Sequence, residues 1–418
     1  MSENEETVTH TELAGIHVLT WQEGGIQIRA DRLSAHTERV TAELAISSTD
    51  AGPIHWGRLN LLSTGAKKAL VSQLTDRVST VDWYATVEEL CSRVIARVRA
   101  GAPAVKLGDQ AFDASMPTFR VMPILPEMQP TIIYSSGGSG KTLLAQYLAA
   151  LVTLPISAAG LDVEPGGVLF LDYETSTEEA AANMRRIHRG LDIEAHSNVH
   201  YRRCSQPLTS DIEAIQAIVS QKEIDLVIID SFGFAAPSGE GGMEKGESAV
   251  EYFRALRSLE CTTLTLDHVA KEGQNGSRSQ GVAGPYGSVY KYNAARKCWR
   301  LQKSGDSPED CLDISLTCTK SNLGRLDQPI GLRFKFADDE IRASRLDIRN
   351  TDLSEGLGLR QRVYDALLSG ARSVDDLAEE LESTPKAILP ILWRSKNALN
   401  QRIFLKINSD WGLAATHD

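Results

Sequence analysis

The chain has 418 residues, a formal net charge of -11, 42% hydrophobic and 24% charged side chains. Such a length and composition predict two or three globular domains with ample core. No run of eighteen or more apolar residues occurs, so no membrane span is expected. The negative balance argues against a nucleic-acid-binding surface all round, while leaving room for a basic channel or one basic domain.

The opening "MSENEETVTHTEL" is polar and acidic, which speaks against a secretory leader and predicts a disordered tail over 1–15. Six cysteines, at 91, 204, 261, 298, 311 and 318, form no C-x-x-C pair. Buried reduced thiols and a cytoplasmic setting are therefore expected. "IHVLTWQEGGIQIRA" reads as a hairpin turning at Gly24-Gly25, and "VTAELAIS" alternates with period two. One helix should carry Leu70, Leu74 and Val78. A second, capped by Asp82, should carry Val87, Leu90, Val94 and Val98 and stop at Gly101. Together they predict a small α+β domain over 16–102, without recognisable chemistry. Prolines 103, 117, 123, 126 and 130, five of the fifteen, mark 103–130 as a linker wrapping onto the next domain.

From 131 to 348 apolar strands follow one another: "VLFLDYE", "NVHYRRC", "DLVIID", "TTLTLDHV", "KCWRLQK", "LDISLTCT" and "IGLRFKF". Helix-sized segments separate the first four, whereas the last three come in quick succession. That order predicts an α/β domain with a parallel sheet and an antiparallel extension at one edge. Past a polar hinge near "RNTDLSEGLG", residues 357–418 read as three helices and a terminal hairpin.

The stretch "TIIYSSGGSGKTLLAQYLAAL" holds the clearest chemistry. An apolar β-favouring run leads into a loop with Ser136, Gly137, Gly138, Ser139 and Gly140, and a helix follows from Lys141, Thr142 and Leu143. Closely spaced backbone N–H groups at a helix N-terminus cradle phosphates. Lys141 can reach the β- and γ-phosphates of ATP, and Thr142 offers a hydroxyl to Mg²⁺. Ser135 stands where the G-x-x-x-x-G-K-[ST] pattern has its first glycine, but it removes no phosphate-contacting group. Lys141 is expected to face solvent.

Three strand tips downstream carry polar side chains. Glu174 closes "VLFLDYE", thirty-three residues after Lys141, where a carboxylate can polarise the attacking water. The bland alternative is an acid capping the next helix, and Asp172 is a rival. Asp230 closes "DLVIID" and is expected to orient Mg²⁺ or its water together with Thr142. His268 ends "TTLTLDHV", where it could sense the γ-phosphate or simply be structural.

Taken in order, "GGSGKT", "LFLDYE", "LVIID", "LDHVAK", "GSVYKYNAARKCWRL" and "TKSNLG" resemble the RepA-type hexameric ATPases, a plasmid and phage branch of RecA-like replicative helicases. The resemblance spans roughly 118–340. It implies a RecA-like P-loop NTPase core, an ATP-fuelled homo-oligomeric ring around single-stranded DNA, and a serine tolerated at position 135. It also implies an arginine finger from a neighbouring subunit, matched here by Arg296, with Arg300 as competitor. Lys320 is similar to the lysine of a K-x-R finger in DnaB-type relatives, but Asn322 replaces its arginine. A recombination mediator that anneals without unwinding, and an ATP-switched DNA-binding regulator, remain alternatives.

Two Gly/Ser-rich loops, after Asp230 and after His268, carry Lys245, Lys271 and Arg278, cations suited to tracking a phosphate backbone. Solvated connectors would have a similar composition. The 357–418 segment resembles a winged helix. It holds eight basic and eight acidic residues, yet 383–409 has Lys386, Arg394, Lys396, Arg402 and Lys406 and no acid. Duplex DNA is the expected partner of that side, and protein docking is the alternative.

Overall fold

The computed structural model describes residues 8–13, 15–36, 39–101, 104, 106, 118–154, 156–193, 198–237, 246–269, 289–396 and 402–414. The chain forms two units, residues 1–116 with 211–221 and residues 117–210 with 222–418.

In the first unit, β1 (Val8–Leu13), β2 (Ile16–Trp21), β3 (Ile26–His36), β4 (Arg39–Ser48) and β5 (Gly52–Asn60) make an antiparallel meander in chain order. Alternation decides which face is covered: Ile26, Ile28 and Ala30 are buried, as are Val40, Ala42, Leu44 and Ile46. Helices α1 (Thr64–Arg77) and α2 (Trp83–Ala100) cover that face with Leu70, Leu74, Val87, Leu90 and Val94. The Asp82 side chain accepts from the Ala85 N–H at 3.0 Å, so one open donor of α2 is satisfied. Gly101 ends α2 at φ 60°, a left-handed conformation that a glycine takes without strain. One expectation needs correcting, because Val8–Leu13 pairs with β2 rather than trailing as a tail. Its polar residues do not prevent this: an antiparallel strand can keep one face wet while Val8 is buried.

The second unit begins inside the expected linker. β6 (Phe119–Met122) and β7 (Leu125–Pro126) pair, and the adjacent Arg120 holds the segment in place. Its guanidinium donates to Pro165 O at 2.6 Å and pairs with Glu127 at 2.9 Å. Then come β8 (Pro130–Ser135), α3 (Lys141–Val152), β9 (Asp162–Val163), β10 (Gly167–Asp172), α4 (Thr177–Gly190) and β11 (Val199–Arg203). After α5 (Leu208–Gln221), whose residues 211–221 belong to the first unit, the second unit continues with β12 (Ile224–Asp230), α6 (Phe232–Ala235), α7 (Gly246–Arg257), β13 (Thr262–His268) and α8 (Val289–Ala294). The last strands of this region are β14 (Lys297–Lys303), β15 (Cys311–Ser321), β16 (Ile330–Phe336) and β17 (Ile341–Leu346).

These strands build a nine-stranded sheet in the order β11-β10-β12-β13-β8-β14-β15-β16-β17. The first six run parallel and the last three antiparallel. β14 belongs to the parallel part, although its short spacing to β15 suggested the extension. The stretch between β13 and β14 is long enough for a crossover, which a parallel neighbour requires. The extension also gains β17, whose "IRASRL" is too polar to announce a strand; only its first residue is buried.

Both faces of the parallel strands are covered, so β8 and β10 are buried at every position. Helix α3 is buried from Leu144 to Val152, which explains why it is apolar all round. The C-terminal ends of β8, β10, β12 and β13 therefore share one edge of the sheet, where loops can carry chemistry. Of the six cysteines, five are buried and Cys311 is half-buried; all are free thiols.

Residues 359–413 form α9 (Leu359–Leu368), α10 (Val374–Glu380), α11 (Pro385–Arg394) and the hairpin β18 (Phe404–Ile407) with β19 (Asp410–Leu413). Val363, Leu367, Leu377, Ile388, Leu392, Phe404 and Trp411 pack as their core. Ser373 and Asp376 exchange bonds as a capping box that starts α10.

Candidate functional site

The turn from β8 to α3, with the first turn of α3, holds every residue from Ser136 to Leu143. Gly138 and Gly140 have φ values of 70° and 91°, conformations that a side chain would strain. A Cβ on Gly140 would also meet Leu312 Cδ2 at 2.6 Å. Ser139 Oγ donates to Ser136 O at 2.6 Å and closes the turn on itself.

Lys141 does not face solvent. It is 7% exposed, and its ammonium donates to Ser136 O at 3.0 Å and Ser135 Oγ at 3.1 Å. Burial lowers its pKa, opposed by the charges of Asp230, Glu174 and Asp267. Ser135 thus supplies an acceptor that a glycine lacks, so the departure from the loop pattern holds the lysine near the phosphate position.

Thr142 Oγ1 donates to Asp230 Oδ2 at 2.6 Å across the tips of α3 and β12. A hydroxyl and a carboxylate brought together beside a phosphate-type loop are the hard oxygen donors that Mg²⁺ takes, so this pair fits the metal of an Mg·ATP complex. Asp230 is buried, and burial raises its pKa to about 6; Glu174 and Asp172 push the same way, while the Thr142 bond and Lys141 oppose. Between about pH 4 and 6 the folded protein therefore keeps a proton that the unfolded chain has lost, and stability falls as pH rises through that window. Without nucleotide or Mg²⁺, Asp230→Asn should gain on the wild type by up to about 3 kcal/mol from pH 4 to 7. Chemical denaturation at several pH values reads this directly, and parallel profiles for the two proteins would rule it out.

Glu174 lies two residues beyond the end of β10, with Oε1 accepting from Ser231 Oγ and 3.9 Å from His268 Nε2. Capping of α4 falls instead to Ser176, whose hydroxyl accepts from the Glu179 N–H at 3.2 Å. Asp172 is not a spare catalytic acid but the anchor of the turn. It accepts from the Glu174 N–H at 2.8 Å, the Thr175 N–H at 2.9 Å, the Thr175 hydroxyl and Tyr201 OH at 3.1 Å. His268, at the end of β13, is level with Ser135 of β8, so it stands between the phosphate loop and Glu174.

Sequence reasoning missed Ser231, Tyr201 and Lys291. Lys291 is buried in an ion pair with Asp267 and sits 4.1 Å from the centroid of the Phe232 ring. It ties the residue after Ser231 to the residue before His268. No local pattern marks it, because "VYKYNA" reads as an ordinary exposed helix.

Arg296 and Lys320 lie elsewhere. The Arg296 N–H donates to Pro130 O at 2.8 Å, at the start of β8 and five residues before Ser135. With the usual rise of a strand, that is ~16 Å from the phosphate loop of its own chain. The side chain is exposed and donates to Gln129 Oε1 at 3.2 Å. Arg300 is level with Tyr134, close to the loop. Lys320 gives its three protons to Tyr292 O, Asn293 O and Ala295 O at 2.7, 2.8 and 2.6 Å, capping the end of α8. The remaining basic candidates divide in two. Lys245, Lys271 and Arg278 lie outside the described residues. Lys386, Arg394, Lys396, Arg402 and Lys406 are exposed on α11 and its hairpin, with Arg402 stacked 5.4 Å from the Trp393 ring centroid.

No helix among the described residues is long and apolar enough to cross a membrane. No curated protein matches the chain. A family model described as an AAA domain matches residues 98–274, a span that holds the phosphate loop, Glu174, Asp230 and His268. Match and geometry agree on the chemistry of this part of the chain: residues 98–274 carry a P-loop, AAA-type ATPase domain.

Proposed function

We propose that the protein is an ATP-dependent DNA helicase or translocase of plasmid- or phage-type replication, working as a RecA-like homo-oligomeric ring around single-stranded DNA. The observation that carries the reading is the shared sheet edge where Lys141, the Thr142–Asp230 pair, Glu174 and His268 meet. When bound, Mg²⁺ supplies positive charge to the phosphate oxygens of ATP. Lys141 exchanges its serine partners for phosphate oxygens, and Thr142 and Asp230 hold the metal. Glu174 orients the attacking water and takes its proton, while Ser231 keeps the carboxylate in place. His268 is level with Ser135 and lies 3.9 Å from the Glu174 carboxylate, and in the sequence Lys271 and Arg278 follow it. The direct test is a forked duplex with ATP. Displacement of one strand supports the reading, whereas pairing of complementary strands without displacement replaces it with a recombination mediator.

For 357–418 we propose a winged-helix tail that binds duplex DNA through α11 and its hairpin. Arg362 and Arg372 are engaged in packing, with Leu381 O at 2.8 Å and Glu380 at 2.6 Å, which leaves the basic charge concentrated on the α11 side. Deleting 357–418 should leave basal hydrolysis nearly unchanged, since the proposed catalytic groups lie before Leu323. It should flatten the salt dependence of duplex binding by about 0.9 in log–log slope for each DNA phosphate that the tail neutralises. A second reading, docking of a protein, is favoured by the exposed Leu389, Trp393, Leu405 and Ile407 on the same helix and hairpin. An unchanged duplex slope after deletion would select it.

A further inference from the structure

A pocket of about 410 Å³ lies between α4 and the sheet, away from the phosphate loop. Phe170 of β10 and Tyr201 of β11 form its floor, with ring centroids 6.4 Å apart and planes within 17°. Met184 and Val199 add apolar wall. Gln146, reaching in from α3, is 2% exposed, and its Oε1 has no hydrogen-bond partner among the described residues. That oxygen is sealed off in the resting setting of the side chain, and a turn of the amide about its last torsion would present it to the pocket, where a donor from outside would satisfy it. Arg185 is exposed at the solvent side and brings a positive charge to the mouth. Flat apolar floor, unpaired acceptor and cationic mouth describe one ligand chemistry.

We propose that this pocket binds a flat aromatic anion carrying one N–H donor, and that its occupancy reaches the hydrolytic site through Tyr201. The rings stack on the floor, the N–H bonds Gln146 Oε1, and the anionic group meets Arg185. The relay is short: Tyr201 OH bonds Asp172 at 3.1 Å, and Asp172 holds the amides of Glu174 and Thr175 at 2.8 and 2.9 Å. A ligand that shifts Tyr201 therefore shifts the turn that aims the Glu174 carboxylate. The binding half is independent of the proposed function, whereas the relay rests on Glu174 acting in hydrolysis.

The probe is 8-anilinonaphthalene-1-sulfonate, which has flat rings, one N–H and one sulfonate, titrated by fluorescence. The wild type and Lys141→Ala should bind it saturably at one site. Gln146→Leu should weaken binding by about 3- to 10-fold, the worth of one hydrogen bond. Ala181→Trp, which fills the pocket from α4, should abolish it; should that variant fail to unfold cooperatively, Gln146→Leu decides alone. Equal affinity for wild type and Gln146→Leu would overturn the site. For the relay, saturating dye should change the wild-type rate of ATP hydrolysis, and Tyr201→Phe, lacking the hydroxyl, should reduce that response. A wild-type rate indifferent to bound dye would overturn the relay. A protein that binds dye but never hydrolyses ATP would instead count against the proposed function.

Discussion

Glu174→Gln should bind ATP about as well as the wild type and turn it over about 10²- to 10⁴-fold more slowly. The amide is nearly isosteric and can still accept from Ser231 Oγ, so the turn should keep its shape. What it cannot do is accept a proton from water. The turn does not depend on the carboxylate either, because Asp172 fixes it through two backbone amides, a hydroxyl and Tyr201. Equilibrium binding of ATP together with single-turnover hydrolysis separates the two effects. Joint loss of binding and turnover would make Glu174 structural, and Asp172, already bonded on all sides, could not take over its part.

Arg296→Ala should retain ATP binding and lose turnover by about 10³- to 10⁵-fold, the range for an arginine finger. Within one chain the arginine stands level with Pro130, at the end of the strands opposite the phosphate loop. Any action on phosphate must then come from a neighbouring subunit, as the proposed ring requires. Mixing Arg296→Ala with Glu174→Gln should therefore recover part of the activity, since some interfaces would join an intact finger to an intact site. If mixed assemblies form and no activity returns at any ratio, the shared site is wrong. Lys320 makes a poor substitute, with its three protons already given to the end of α8.

Much of this was legible in the sequence because it is local. The cap and the end of α2 follow from Asp82 and Gly101, and the phosphate loop follows from its glycines and Lys141. Most strands of the sheet and their tips were readable because parallel strands buried on both faces appear as apolar runs. What escaped depends on partners far apart in the chain. Asp172 read as a rival acid because the sequence does not show the turn amides that come to meet it. Lys141 looked solvent-facing because the sequence does not show the loop folding back to offer it the Ser136 carbonyl and the Ser135 hydroxyl. Lys291 sits in a polar helix and is buried only because Asp267 and Phe232 converge on it. β17 and the first strand carry too few apolar residues to be told from loops, and pairing alone makes them strands.

The most direct measurement is steady-state ATP hydrolysis by the full chain and by Lys141→Ala, each with and without single-stranded DNA. The account predicts Mg²⁺-dependent hydrolysis by the wild type that rises with single-stranded DNA, and none by Lys141→Ala even though that variant unfolds cooperatively. Hydrolysis at the wild-type rate by Lys141→Ala would contradict the site, and wild-type hydrolysis indifferent to single strands would contradict the translocase.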